Sequence, residues 1–106
     1  MKVCVFGAGA LGGHLAAQLI AANNCELSLV TRGAHLAAIR NNGISLKVGS
    51  KELGGKPVAA TDDAATLPPQ DIVFVALKAQ TLPVAAAAIG KLAKPDGYVE
   101  IGRAHV

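Results

Sequence analysis

The chain has no tryptophan, one tyrosine and two phenylalanines, so aromatic side chains make up only 3% of its 106 residues. An aromatic-rich β-sandwich is therefore a poor fit. Hydrophobic residues nevertheless make up 52% of the sequence, and most of them are alanine, valine and leucine, which suit helices packed closely on a parallel sheet. Because the length is that of one ordinary domain, we predict a single α/β domain.

Concentrated charge is also missing, because the net charge of +3 is spread along the chain without a run of lysine and arginine. This disfavours nucleic acid as a partner. The two cysteines, Cys4 and Cys25, lie in or beside apolar runs without metal-ligand spacing, which is typical of buried reduced thiols. No apolar stretch is long enough for a membrane span or a signal peptide. We expect a cytoplasmic protein with no metal site and no membrane partner.

Strand and helix patterns alternate along the chain. Apolar runs predict strands at Val3–Phe6, at Glu26–Val30, most strongly at Ile72–Leu77, and finally from Tyr98 after a turn at Pro95-Asp96-Gly97. Apolar residues at helical spacing predict helices over 10–22, 33–41 and 82–92. The alternation predicts a doubly wound parallel sheet with three αβα layers and the strand order 3-2-1-4-5. The first and fourth strands then lie side by side, and a ligand crevice forms where their carboxyl ends meet.

The middle of the chain has weaker patterns. Ile44–Val48 alternates apolar and polar residues, which predicts a strand near the sheet edge with one face in water. Gly49–Pro69 is rich in glycine, proline and aspartate, so we predict mostly connection, with a short strand near Val58 and a helical turn after Asp62 and Asp63. The two aspartates fit a helix cap or a turn better than a metal pair.

A glycine loop, G-A-G-A-L-G from Gly7 to Gly12, directly follows the first strand and opens the first helix. In this context such a loop binds the pyrophosphate of a dinucleotide. Gly7 permits the sharp turn, Gly9 leaves room for the pyrophosphate and Gly12 lets the helix approach the strand. A ligand-free tight turn does not explain three glycines at this spacing. We predict cofactor binding by Gly7, Ala8, Gly9, Ala10, Leu11 and Gly12.

Two further positions at the predicted crevice carry positive charge. The second strand ends in Thr31-Arg32 and not in the acid that would accept hydrogen bonds from the ribose of NAD, and an arginine can pair with the 2′-phosphate of NADP. We therefore predict NADP, although an exposed loop cation would look the same. Lys78 directly follows the strongest predicted strand, and in the predicted strand order it lies across the crevice from the glycine loop. There it could bind the cofactor or an anionic substrate, or it could simply end the strand and point into solvent. Gln80 and Thr81 are weaker candidates on the same loop.

Three segments carry a family resemblance: M-K-V-C-V-F-G-A-G-A-L-G-G, L-V-T-R-G-A-H-L-A-A-I-R-N-N-G and D-I-V-F-V-A-L-K-A-Q. Together they resemble the N-terminal domain of the ketopantoate reductase (2-dehydropantoate 2-reductase) family, over Met1 to about Val99. The resemblance implies a Rossmann-type NADP-binding domain over residues 1–99, in which the glycine loop and Arg32 hold NADPH and Lys78 contacts it near the substrate. It also implies an oxidoreductase of pantothenate biosynthesis that reduces ketopantoate, a small 2-keto acid.

The sequence departs from that family after Val99. The family continues into an asparagine-glycine turn and a helical domain with the general-acid lysine, and the sequence contains neither. Its last residues match the translation of a common sequencing-adapter oligonucleotide, so we expect 100–106 to be a non-native tail on a fragment without turnover. His14 and His35 have no evident partner, and we expect no catalytic residue here. An NAD(P)-sensing module and the front domain of another dehydrogenase stay open as alternatives, and the sequence does not indicate an oligomeric state.

Overall fold

The sheet is built outward from β1 (Lys2–Phe6), whose last four residues are buried. The computed structural model describes residues 1–7, 9–78 and 80–102, and only the backbone of Ala10. β1 pairs with β2 (Glu26–Val30) on one side and with β6 (Gln70–Val75) on the other. Outside these lie β5 (Ala59–Thr61), beside β2, and β7 (Ala93–Ile101), beside β6. All these pairings are parallel, in the order β5-β2-β1-β6-β7.

Helices cover both faces of this sheet. α1 (Ala10–Ala22) and α2 (Gly33–Asn42) pack on one face, and α3 (Leu82–Leu92) packs on the other. Neighbouring residues of one strand point to opposite faces, so β1 contributes to both cores. The first core contains Val3, Val5, Ala16, Leu27, Leu29 and Ile39, and the second contains Cys4, Phe6, Val30, Val73, Val75, Ile89 and Leu92. The predicted three-layer, doubly wound α/β fold is confirmed.

The strongest predicted strand ends earlier than expected. β6 runs from Gln70 to Val75, so Ala76 and Leu77 belong to the following loop. Both side chains lie against the glycine loop: a Cβ placed on Gly7 would lie 3.1 Å from Cδ2 of Leu77, and one placed on Gly12 would lie 3.2 Å from Cβ of Ala76. The helix predictions over 10–22 and 82–92 agree with the structure, and the second helix extends one residue beyond the predicted 33–41.

Ile44–Val48 is a strand, β3, but the prediction that it lies near the edge of the main sheet is wrong. It pairs antiparallel with β4 (Lys51–Gly55) across a turn at Gly49-Ser50, and this hairpin packs against α1. The predicted alternation holds locally, because Ile44 and Leu46 are half-buried and the residues between and after them are exposed.

β4 occupies a segment that we predicted to be mostly connection. The glycines at its end are typical of turns, yet here they permit close strand pairing. A Cβ on Gly54 would overlap the carbonyl oxygen of Ile44, and its φ of 137° is one that other residues rarely adopt. The outer position beside β2 is therefore left to β5, which agrees with the short strand predicted near Val58.

Another local prediction agrees with the structure. A short 3₁₀ helix (Ala64–Thr66) follows β5, and the Asp63 carboxylate caps it by accepting a 3.0 Å hydrogen bond from the Ala65 N–H. The prediction that the last strand begins at Tyr98 after a turn is wrong, because β7 begins at Ala93 and includes Pro95-Asp96-Gly97. These three residues only interrupt the pairing with β6, which resumes with Tyr98 opposite Ile72. Within the described residues, no helix is long and apolar enough to cross a membrane.

Candidate cofactor site

The carboxyl ends of β1, β2, β5 and β6 surround a crevice of about 350 Å³. It lies where β1 and β6 are neighbours, at the predicted place. Its lining residues are Phe6, Gly7, Gly9, Val30, Thr31, Arg32, Asp62, Ala76, Leu77, Lys78, Thr81, Val84 and Ala85. A second cavity, of about 440 Å³, lies between the 3₁₀ helix and α3 and includes no residue of the glycine loop.

Two glycines of the loop are required by the protein itself. Gly7 has a φ of 108° and its N–H donates a 2.7 Å hydrogen bond to the Val30 carbonyl, which turns the chain across the end of β2. A Cβ there would lie 2.7 Å from the Ala76 carbonyl oxygen. A Cβ on Gly12 would overlap the Gly7 carbonyl oxygen, so Gly12 lets α1 begin directly against the loop.

Gly9 differs from the other two, because the described protein does not require it. Nothing lies within 4 Å of the position where its Cβ would be, and its φ of −66° is available to any residue. Gly9 is the N-cap of α1, and its carbonyl accepts the first helical hydrogen bond from the Gly13 N–H at 2.8 Å. The space that a side chain would fill is therefore open to a ligand.

The first turn of α1 supplies hydrogen-bond donors to that space. No side chain caps the helix, and its first turn contains no acidic residue. Among the described residues, the N–H groups of positions 10–12 have no acceptor. Unpaired N–H groups at a helix N-terminus, together with the helix dipole, favour a phosphate. An open cradle beside them fits the pyrophosphate of a dinucleotide.

The predicted site residues are only partly brought together. Gly7, Gly9, Thr31, Arg32 and Lys78 all line the crevice, as does Thr81. Gln80 is not among the lining residues. This convergence of separate segments follows from the parallel pairing of β2, β1 and β6, which brings their carboxyl ends to one edge.

The remaining predicted residues are placed differently. Leu11 is 44% exposed and lies near Gly102, outside the crevice lining, and Gly12 is buried beneath the loop. Only their backbone N–H groups are available to a ligand there. Ala8 and the side chain of Ala10 lie outside the described residues.

Both predicted cations at the crevice are exposed. Arg32 is the N-cap of α2 with an extended backbone, and Lys78 lies on the loop between β6 and α3. Among the described residues, the ion pair is the one between Lys94 and Asp71. Neither Arg32 nor Lys78 belongs to it. The crevice therefore offers positive charge at two of its walls.

Asp62 is a crevice residue that sequence reasoning missed. The expectation that the two aspartates form a helix cap or a turn agrees with the structure, since Asp63 caps the 3₁₀ helix and Asp62 lies at a bend. Asp62 also lines the crevice, together with Thr31 and Arg32. The sequence signal that could have identified Asp62 is its position directly after β5. The carboxyl ends of neighbouring parallel strands lie at the same edge of the sheet, which is where the crevice forms. That signal depends on recognising a strand of only three residues.

Comparison with known proteins gives a consistent result. Residues 3–101 match the family model described as ketopantoate reductase PanE/ApbA. A 2-dehydropantoate 2-reductase of Mesorhizobium japonicum is 50% identical over 82 residues, which are 77% of this chain and 25% of that protein.

Solved structures show the same relationship. A crystal structure of 2-dehydropantoate 2-reductase from Porphyromonas gingivalis is 30% identical with a TM-score of 0.82, covering 93% of this chain and 37% of that one. The ternary structure of D-mandelate dehydrogenase with NADH and anilino(oxo)acetate is 25% identical with a TM-score of 0.79, covering 95% and 33%. The chain thus spans between a quarter and about two fifths of the length of these relatives. The family match over nearly the whole sequence shows that this chain belongs to the ketopantoate reductase family of NAD(P)-dependent oxidoreductases.

Proposed function

We infer that the crevice binds NADP(H), with the pyrophosphate held over Gly9 by the N-terminus of α1. The observation that carries this inference is the difference among the loop glycines. Gly7 and Gly12 are explained by contacts within the protein, whereas the open space at Gly9 is explained by a ligand. The predicted contacts of Gly7, Ala8, Gly9, Ala10, Leu11 and Gly12 belong to this proposal.

The choice of NADP rests on the end of β2. Thr31 and Arg32 both line the crevice there, and neither is an acid that would repel a 2′-phosphate. The exposed Arg32 guanidinium can form a charge-assisted pair with that phosphate. The D-mandelate dehydrogenase neighbour contains NADH, so the fold alone does not select NADP, and we assign the choice to the residues after β2.

For the intact enzyme, the proposed reaction is the reduction of the ketone of 2-dehydropantoate. When bound, NADPH supplies the hydride, and the protein orients it. In this chain, the glycine loop fixes the pyrophosphate, Thr31 and Arg32 fix the adenosine end, and Lys78 contacts the cofactor near the substrate. Together these residues would form an NADP-binding domain over residues 1–99. We propose that the intact enzyme is cytoplasmic. The proton donor belongs to the helical domain that the family resemblance implies.

A second candidate is a reductase of another 2-keto acid that uses NADH. The specific observation in its favour is the D-mandelate dehydrogenase structure with NADH and anilino(oxo)acetate. The two candidates differ in the required cofactor, so a cofactor titration separates them before any substrate is known.

The test is a calorimetric titration of the whole chain with NADPH and, separately, with NADH. We expect tighter binding of NADPH, and we expect Arg32→Ala to weaken NADPH binding about tenfold while leaving NADH binding nearly unchanged, since it removes one charge-assisted pair. The matched control is Arg40→Ala. Arg40 is also exposed on α2, but its Nε–H donates to the Ala60 carbonyl at 3.1 Å. A preference for NADH, or an unchanged preference in Arg32→Ala, would contradict the NADP assignment.

A further inference from the structure

Asp62 lies at the same edge of the sheet as the residues proposed to bind the adenosine end. Thr61 is in register with Val30, and the Thr31 N–H donates a 3.0 Å hydrogen bond to the Thr61 carbonyl oxygen. Asp62 is thus level with Thr31 on the neighbouring strand, and adjacent strands lie about 4.8 Å apart. Both residues line the crevice.

The backbone around Asp62 is held in place. The Asp63 N–H donates to the Thr61 hydroxyl oxygen at 3.1 Å, and the Thr66 hydroxyl donates to the Asp63 carbonyl oxygen at 2.7 Å. The first bond closes a tight turn around Asp62, and the second holds the residue that follows it. A carboxylate presented by such a turn has little backbone freedom to lose when it binds a ligand.

The two neighbouring aspartates have different tasks. The Asp63 carboxylate accepts a hydrogen bond from the Ala65 N–H and caps the 3₁₀ helix. The Asp62 carboxylate, in contrast, accepts no hydrogen bond from any residue that the structure describes, and it belongs to the crevice lining. Asp62 is therefore an exposed hydrogen-bond acceptor at the crevice whose carboxylate is not used to cap the 3₁₀ helix.

Apolar side chains line the same crevice. Val84, in the first turn of α3, is 86% exposed, more than any other large hydrophobic side chain in the described part of the molecule. Leu77, Ala85 and Val30 also belong to this lining. An apolar wall combined with a fixed hydrogen-bond acceptor suits a flat heteroaromatic ring that carries an amino group.

We propose that Asp62 recognises the adenine base of the cofactor by accepting a hydrogen bond from its exocyclic amino group. This assignment rests on the proposed dinucleotide function and adds base selectivity to it. It does not compete with the proposed role of Arg32, because Arg32 follows β2, where the ribose is read, and Asp62 follows the next strand outward.

The test compares NADPH with its hypoxanthine analogue, in which a carbonyl oxygen replaces the amino group of the base. The measurement is the dissociation constant of each ligand for the whole chain. We expect NADPH to bind about tenfold more tightly than the analogue, because the analogue places an acceptor against the Asp62 carboxylate.

Three variants test whether the preference for NADPH over the analogue depends on Asp62. Asp62→Ala should bind the two ligands about equally, and so should Asp62→Asn, since a side-chain amide can donate to the carbonyl oxygen or accept from the amino group. Asp63→Ala is the matched control: it removes the same charge from the neighbouring residue and should keep the preference for NADPH while lowering the thermal midpoint.

Each outcome has a defined meaning. If the unmodified chain binds NADPH but does not distinguish the analogue, or if Asp62→Ala keeps the full preference, the assignment of Asp62 is wrong while the NADP proposal stands. If neither ligand binds, the proposed function itself is overturned and the Asp62 assignment with it.

Discussion

The glycines of the loop can be separated by what surrounds each one. Gly7 and Gly12 each lie where a Cβ would collide with backbone, whereas Gly9 faces open space. The sequence motif treats the three as equivalent members of one pattern. The structure instead divides them into two that the fold requires and one, Gly9, that no contact within the described residues requires.

This division predicts that alanine at either of the two glycines required by the fold lowers stability. Gly7→Ala and Gly12→Ala should each lower the free energy of unfolding by about 1–3 kcal/mol, because the new methyl group meets backbone that cannot easily move. Gly90→Ala is the control, since Gly90 is exposed in α3 with nothing within 4 Å of its Cβ position. It should raise stability by about 0.5–1 kcal/mol. Thermal unfolding followed by circular dichroism measures all three, and equal effects would contradict the division.

Cys4 provides a prediction about reactivity. It is fully buried in β1, and burial raises the pKa of its thiol to about 12, with a backbone hydrogen bond from Val30 partly offsetting this. The thiolate is the reactive form, so Cys4 should resist alkylation in the native protein at pH 8. Cys25 is half-buried and unpaired, and should be modified first. Mass spectrometry after brief iodoacetamide treatment would reveal the order, and early modification of Cys4 would contradict its placement.

At the scale of elements, the amino ends of three strands are joined by one carboxylate. Asp71, in β6, accepts a 2.7 Å hydrogen bond from the Lys2 N–H of β1 and a 2.9 Å hydrogen bond from the Lys94 ammonium of β7. The backbone hydrogen bond from Lys2 is the main reason that the pKa of Asp71 is lowered, and the Lys94 ammonium adds to it. Since the two side chains of the ion pair are 40% and 35% exposed, solvent weakens their attraction.

The lowered pKa predicts a pH dependence of stability. A carboxyl group whose pKa is lower in the folded state stabilises that state above its unfolded pKa and loses this effect as the pH falls through the folded value. Stability should therefore decline as the pH drops below about 4. Asp71→Asn should be less stable at neutral pH and should show a shallower decline in acid. Urea unfolding at several pH values tests this, and identical acid profiles would contradict it.

Sequence patterns located the regular elements well where periodicity was strong. β2, α1 and α3 have the predicted boundaries, because long apolar or amphipathic runs determine them. β4 was missed because its glycines are typical of turns, and their role in close pairing with β3 depends on a partner strand that local sequence does not reveal. Asp62 was missed for a related reason, since its place in the crevice depends on β5 pairing with β2.

At the scale of the whole molecule, the predicted crevice at the β1–β6 junction is present because the strand order determines it. The contacts made with the cofactor stay predictions. The predicted end of the NADP-binding domain at residue 99 also stays a prediction. The family match and β7 both reach position 101, and positions 103–106 lie outside the described residues.

Catalytic turnover is a prediction at this scale. The chain spans 25% of the Mesorhizobium japonicum relative, and the proposed proton donor belongs to the family's helical domain. We therefore expect no reduction of 2-dehydropantoate by this chain with NADPH, even where NADPH binds. NADPH absorbance, followed over time with and without the keto acid, measures this, and substrate-dependent NADPH oxidation would contradict the division of roles.

The most direct test of cofactor binding over Gly9 is an NADPH titration of the unmodified chain, Gly9→Ala and Gly90→Ala, with unfolding measured in parallel. We expect saturable binding by the unmodified chain and by Gly90→Ala. Gly9→Ala should bind at least about tenfold more weakly, because its methyl group occupies the pyrophosphate position. Its free energy of unfolding should change by less than about 1 kcal/mol. Equal NADPH affinity in Gly9→Ala and the unmodified chain, or no binding by the unmodified chain, would contradict the assignment.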